Sequence, residues 1–293
     1  MAKTAVVTDT NSGMPAKEAE KMHVFVVPMP FYVGGETYYE GINLTQKQFY
    51  TMLEGDVSIS TSQPSPESLM NVWDRVLTSY DELVYIPMSS GLSGSCQSAA
   101  MLSSDYDGRV QVVDNQRISV TQRQSVLDAL LMIERGYSAL QVKQRLEETK
   151  FESSIYIMLE TLKYLKKGGR ITPAAAAIGT ALRVRPVLTI QGEKLDAFRL
   201  ARTKGHGEAI MKDAVRKDAE ERFGGLDPEK VWLAVAYSGT DKKVAEEWRK
   251  DVEKSFPGFR VHMDPLSLSV SCHIGPGALA VTVTKKLDIE DIR

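Results

Sequence analysis

Cysteine is scarce in this 293-residue chain: Cys96 and Cys272 stand far apart, and there are no others. No CxxC pair or His/Cys cluster accompanies them, which argues against a zinc site. Two cysteines in an α/β chain read as free thiols in a reducing compartment rather than as a disulfide. An excess of charge of either sign is also missing. Lys plus Arg total 36 against 38 Asp plus Glu, a net charge of -2 at pH 7, which gives no support to nucleic-acid or membrane-surface binding. Long apolar runs are absent as well. The opening MAKTAVVTDTNSG meets Asp9 before a signal-type core builds up. The most apolar later stretch, residues 173–182 between Arg170 and Arg183, is too short to span a bilayer. A soluble, cytoplasmic protein without an integral membrane segment is expected.

Several nucleotide and metal signatures are missing. There is no GxxxxGK[ST], no GxGxxG after a strand, no HExxH and no EF-hand loop. No cofactor or metal is therefore expected. What is present is an ordinary globular composition, 43% hydrophobic and 25% charged. The length suits two lobes or one large α/β unit, with a core able to enclose a ligand.

The first half alternates short β-rich runs with amphipathic segments. Strands are predicted at 4–7, 24–27, 57–60, 83–88 and 110–113, and helices at 45–54, 65–79, 92–103 and 121–135. This alternation predicts βαβ units and a mainly parallel sheet, with a hairpin at Gly34-Gly35 near Phe31–Tyr39. A charged helix over 137–150 is a plausible hinge. The second half restarts with a strand at 154–158. A hairpin around Gln191-Gly192 follows, then a helix over 204–223, a strand at 231–236, a helix over 241–255 and a strand at 260–263. The expected architecture is a two-lobed α/β fold. Residues 1–150 would form an N-terminal lobe of mainly parallel sheet flanked by helices, and residues 151–293 a C-terminal α/β lobe.

Four stretches carry candidate chemistry. In Pro87-Met88-Ser89-Ser90-Gly91-Leu92-Ser93-Gly94-Ser95 a strand runs through a glycine-bearing turn into a helix. Glycines permit positive φ and close approach of a ligand, and free helix-start N–H groups with serine hydroxyls make an anion pocket without a metal; Ser93 as a plain helix cap is the competing reading. In Thr61-Ser62-Gln63-Pro64-Ser65-Pro66-Glu67, capping explains Ser65 onward but not three hydrogen-bonding side chains at a strand end, where ligands of parallel sheets sit. His273-Ile274-Gly275-Pro276-Gly277 suggests a ring held at a tight turn, although a lone histidine is commonly structural. In Leu162 to Ile171 the leucines face inward, the lysines stay wet, Gly168 caps a helix, and Arg170 follows the cap. The Ala174–Ala177 run either packs helices closely or lines a slot.

Together the stretches Thr8–Ser12, Thr61–Ser65, Ser89–Gly94, Leu162–Ile171 and His273–Ala278 resemble the DegV family, in order and over almost the whole chain. The first loop departs from the family pattern with Thr10-Asn11-Ser12-Gly13, as does Ile274 where Thr is common. The resemblance implies a long-chain fatty acid in a buried tunnel between or within the lobes, its carboxylate meeting Thr61 and Ser93. Ser62, Gly94 and His273 would lie close by. It also implies a carrier rather than an enzyme, one that presents the carboxylate to a separate fatty-acid kinase. Arg170 would belong to the head-group network and Arg202 to the kinase-facing edge. Local chemistry leaves a rival open. Gly91-Leu92-Ser93-Gly94-Ser95 comes within one residue of a GxSxG elbow, and Asp264 and His273 follow in the order of a serine hydrolase. Against that rival, Ser95 stands where the elbow needs glycine, and Asp264 precedes His273 by only nine residues.

Overall fold

The computed structural model describes residues 2–55, 58–168, 172–173, 184–192 and 194–289. The chain opens with β1 (Thr4–Asp9), α1 (Ala16–Lys21) and β2 (Val24–Val27). An inserted arm follows, made of β3 (Pro30–Val33), β4 (Glu36–Tyr39), α2 (Gln46–Glu54) and β5 (Ile59–Thr61). The first lobe is completed by α3 (Pro66–Leu77), β6 (Glu82–Ile86), α4 (Ser95–Ser103), β7 (Val110–Val112), α5 (Val120–Glu134) and α6 (Ala139–Glu148). Its four strands pair in the order β2-β1-β6-β7, each pair parallel.

Residues of β6 show why this sheet reads as a continuous apolar run. Successive side chains alternate faces. Leu83 and Tyr85 join Trp73 and Ala99 of α3 and α4 on one side, while Val84 and Ile86 join Val126 and Met132 of α5 on the other. Both faces are covered, as a parallel sheet requires. Helix starts follow local chemistry. The Ser65 hydroxyl accepts the Ser68 N–H with Pro66 in the first turn, and Thr45 and Ser138 form capping boxes with Gln48 and Gln141.

The second lobe comprises β8 (Ser153–Met158), α7 (Lys163–Gly168), β9 (Arg185–Ile190), β10 (Asp196–Ala201), α8 (Lys204–Arg222) and β11 (Val231–Tyr237). It ends with α9 (Lys242–Ser255), β12 (His262–Pro265), α10 (Leu268–Ile274) and β13 (Leu279–Lys285). Six strands order as β10-β9-β8-β13-β11-β12, antiparallel except for the parallel pair β11-β12. One face packs on α8 and α9 through Met158, Val281, Met211 and Trp248. The other, with Ile155, Ile157, Leu188 and Ala280, turns toward Leu92, Ile118 and Val120 of the first lobe.

Both hairpins form as expected, β3-β4 around Gly34-Gly35 and β9-β10 beyond Gln191. Two elements went unpredicted at the C-terminal end. β13 lies between β8 and β11, and α10 places His273 in its last turn rather than in a tight loop. Cys96 and Cys272 are both buried, and neither is in a disulfide. Among the described residues no helix is long and apolar enough to cross a membrane.

Candidate functional site at the junction of the lobes

Thr61, Ser62 and Gln63 leave the end of β5, Ser93 and Gly94 lead into α4, and Ser269 and His273 lie on α10. All seven border one cavity of about 290 Å³. Its inner wall is apolar, with Met29, Met88, Leu92, Ile118, Leu165 and Leu195. Leu92, Ile118 and Leu195 also bound a second, smaller chamber of about 40 Å³. That chamber reaches into the apolar face of the second sheet at Ile155, Ile157 and Ala280. A polar mouth thus leads to an apolar interior.

The mouth is held by specific bonds. Thr61 Oγ1 lies 2.9 Å from His273 Nε2. Ser93 Oγ accepts the Ser95 N–H at 3.2 Å, which leaves its own proton to donate. Gln63 Oε1 accepts from the Ser98 hydroxyl at 3.1 Å. Gly94 is not in the left-handed region, with φ −69°, so the expected positive φ is not the reason for glycine there. Close approach is: a Cβ at Gly94 would come within 3.3 Å of Gln63 Oε1. β5 belongs to an antiparallel arm, so Thr61 reaches the site through that insertion and not from the parallel sheet.

The Thr8–Ser12 loop lines neither chamber and instead braces the junction. Asp9, fully buried, accepts N–H groups of Met88 and Asn11 and the Gln122 amide, at 2.9 Å, 2.9 Å and 3.0 Å. Burial pushes its carboxyl above the usual range, and these hydrogen bonds pull the other way. Asn11 Oδ1 accepts from the hydroxyls of Ser267 and Ser269 at the start of α10. The loop therefore ties the turn after β6 to the helix that carries His273. Asn11 is fully buried, and its amide oxygen serves both hydroxyls as acceptor.

The inserted arm grips α10 as well. Glu40 Oε2 accepts the Leu268 N–H at 2.7 Å, and the Tyr50 hydroxyl donates to Ser271 Oγ at 2.9 Å. Glu40 substitutes for a cap, because Ser267 makes no side-chain cap bond to α10. Burial pushes the Glu40 carboxyl up to about 7, against lowering by Leu268 N–H and Gln46. The folded chain keeps a proton here that the unfolded chain loses near its ordinary value of 4.5. Stability contributed at Glu40 is therefore present below that value and falls as pH rises through about 7. Glu40→Gln keeps an acceptor for Leu268 and removes the titration. Thermal unfolding at pH 5 and pH 8 will show wild type losing more than the variant, by as much as about 3 kcal/mol. Parallel curves for the two proteins would refute this.

The hydrolase arrangement does not assemble. Asp264 Oδ2 pairs with His262 Nε2 at 2.8 Å and lies 3.7 Å from Arg123 Nε, while His273 faces Thr61. The order Ser93, Asp264, His273 along the chain misleads because Asp264 ends on β12 beside Arg123. Leu162 and Leu165 are buried as expected. Arg170 and the Ala174–Ala177 run lie outside the described residues. Arg202 is exposed between β10 and α8 and lines neither chamber. Sequence reading missed Ser269 and Val270, which reach the cavity because α10 exists; the apolar spacing of Leu268, Cys272 and Ile274 was the available signal.

The model of the DegV family, described as an uncharacterised protein family, matches residues 3–286. A DegV domain-containing protein of Listeria innocua is 28% identical, the match covering 96% of this chain and 98% of the relative. One from Deinococcus radiodurans is 28% identical, covering 95% and 97%. Among solved structures, a fatty-acid-binding DegV family protein from Thermus thermophilus superposes with TM-score 0.87 at 29% identity, covering 97% of this chain and all of that one. DegV from Bacillus subtilis, a fatty acid binding protein, gives 0.85 at 27%, covering 98% and 100%. A stearic-acid-binding protein from Eubacterium ventriosum gives 0.84 at 25%, covering 98% and 99%. With the family model spanning nearly its whole length, this chain belongs to the DegV family.

Proposed function

We propose that the protein binds one long-chain fatty acid, carboxylate at the Thr61–Ser93 mouth and tail in the apolar interior, and presents the carboxylate to a separate fatty-acid kinase. The observation that carries this is the polar-to-apolar gradient from His273 and Ser93 to Ile155 and Ala280. Fatty-acid binding by the similar Thermus and Bacillus proteins supports it. Burying about 16 carbons at roughly 0.8 kcal/mol per methylene yields on the order of 10 kcal/mol, from which ordering and dehydration subtract a large share. A bare carboxylate cannot enter a dry site unpaired. The hydroxyls of Thr61 and Ser93, with Ser62, the backbone at Gly94 and a His273 ring N–H, supply donors. Arg170 joins the head-group network in this reading, and Arg202 faces the kinase. The kinase supplies ATP and its metal; the carrier supplies position and shelter, and works in the cytoplasm. The seam between lobes falls near residue 150, between α6 and β8, with residues 1–150 carrying most head-group loops and residues 151–293 the second sheet.

Gently purified protein from a bacterial host will carry about one long-chain fatty acid per chain. Native mass spectrometry followed by lipid extraction measures this. Empty protein that also fails to take up titrated fatty acid would overturn the reading.

A further inference from the structure

A separate cleft of about 670 Å³ opens between α5 of the first lobe and the β12-β11-β13 end of the second sheet, against about 290 Å³ for the mouth cavity. Strand alternation creates it. Val231, Leu233 and Val235 of β11 pack outward with α8 and α9, which turns Trp232 and Ala234 toward the first lobe. Their cross-strand neighbours on β13 are Thr284 and Thr282. Ala234, Thr282 and Thr284 are too short to fill the space beneath α5, and Leu127 and Leu131 of that helix form the facing wall. Two large apolar side chains stay exposed across this gap, Leu131 at 39% and Trp232 at 43%.

The accessible charge at the cleft is positive. Arg123 is tied to Glu18 and Asp264, Arg249 to Glu246 and Glu253, and His262 to Asp264. Arg260, also on the lining, is exposed, and no ion pair or hydrogen bond is recorded for its side chain among the described residues. Lys286 Nζ sits 4.0 Å from the Trp232 ring centroid and adds a second cation nearby. Asp128, the acid on the lining, is 6% exposed and receives the Gln124 amide at 2.9 Å. Continuity points to the kind of occupant: Val120 and Thr282 border both this cleft and the inner chamber, so the two apolar spaces share a wall. Building on the fatty-acid reading above, we infer that the cleft is a second fatty-acid site, with the chain between Leu131 and Trp232 and the carboxylate on Arg260. An open cleft with one unpaired cation holds its ligand less tightly than an enclosed tunnel does. It fills only when fatty acid is in excess, and purification leaves the tunnel molecule alone.

The test titrates dibromostearic acid into delipidated wild type. Native mass spectrometry gives the stoichiometry and tryptophan fluorescence the place, since bromine quenches a ring it touches. Trp73 and Trp248 are buried in other apolar clusters, so Trp232 is the ring that a chain in the cleft will meet. One molecule will bind first with little quenching. A second will bind in excess ligand and quench, and Trp232→Phe will remove that quenching. Arg260→Ala will weaken the second molecule by about fivefold, as an exposed ion pair allows, and leave the first unchanged. Leu131→Glu, at an exposed position, will abolish the second. Ser93→Ala will do the reverse, weakening the first and sparing the second. A single bound molecule at saturation, or a second one whose affinity survives both Arg260→Ala and Leu131→Glu, overturns the inference and leaves the fatty-acid reading standing. Loss of the first molecule alone, with the Arg260-dependent one retained, would overturn the tunnel reading instead.

Discussion

Replacing Ser93 with alanine will weaken fatty-acid affinity by about tenfold to a hundredfold while circular dichroism stays unchanged. The Ser93 oxygen already accepts the Ser95 N–H, so its proton is the part available to a carboxylate. A hydrogen bond to a charged acceptor contributes about 1.5–3 kcal/mol, which sets that range. Thr61→Ala should lose at least as much, because the same change removes the hydroxyl that faces His273 Nε2. Thr61→Ser restores the hydroxyl and should recover most of the loss. The fold is expected to survive both changes: Thr61 and Ser93 are half-buried at the mouth, outside the apolar clusters that hold the sheets. Unchanged affinity in both alanine variants would move the carboxylate away from this mouth.

How far the site was legible differs from residue to residue. Thr61 through Gln63 stood out because capping accounts for Ser65 but not for three hydrogen-bonding side chains before it, and all three border the cavity. Ser93 stood out because it sits between a strand and a helix start, a signal that is local. The β6 run was legible for the same reason, since both its faces are covered by neighbouring helices. The tie from Asn11 to Ser267 and Ser269 spans more than 250 residues and leaves no mark in either local pattern. Asp264 shows the reverse failure. Its spacing from Ser93 and His273 imitates a triad, but the parallel pairing of β11 with β12 sets it opposite Ala236 and within reach of His262 and Arg123. Residue order carries triad information only when the topology brings the three together. β13 was missed although it alternates Leu279, Val281 and Val283 with Ala280 and Thr282. Its role between β8 and β11 is a matter of long-range pairing, which periodicity cannot supply.

Arg202→Ala will leave fatty-acid affinity within a few-fold of wild type and sharply reduce kinase-dependent acyl-phosphate formation. The argument begins at the edge of the second sheet. Ala201 pairs with Arg185, whose guanidinium meets Glu160. Glu160 in turn lies where a side chain on Gly277, four residues past His273, would have to go. Arg202 therefore follows an edge that runs back toward α10, and Arg199, exposed on β10, and Lys204 add positive charge. Lys204 is partly neutralised by Glu208 at 3.7 Å, whereas no ion pair is recorded for Arg202 among the described residues. Exposed rim charges tune encounter and specificity, and in the proposed reading the half-buried mouth holds the ligand. Raising salt should slow the wild-type coupled reaction through screening, and Arg202→Ala should show a shallower salt dependence. A coupled kinase assay and direct fatty-acid titration on the same variant separate the outcomes. Normal turnover without Arg202 would remove it from the docking edge, while a parallel loss of fatty-acid binding would place its guanidinium on the bound carboxylate itself.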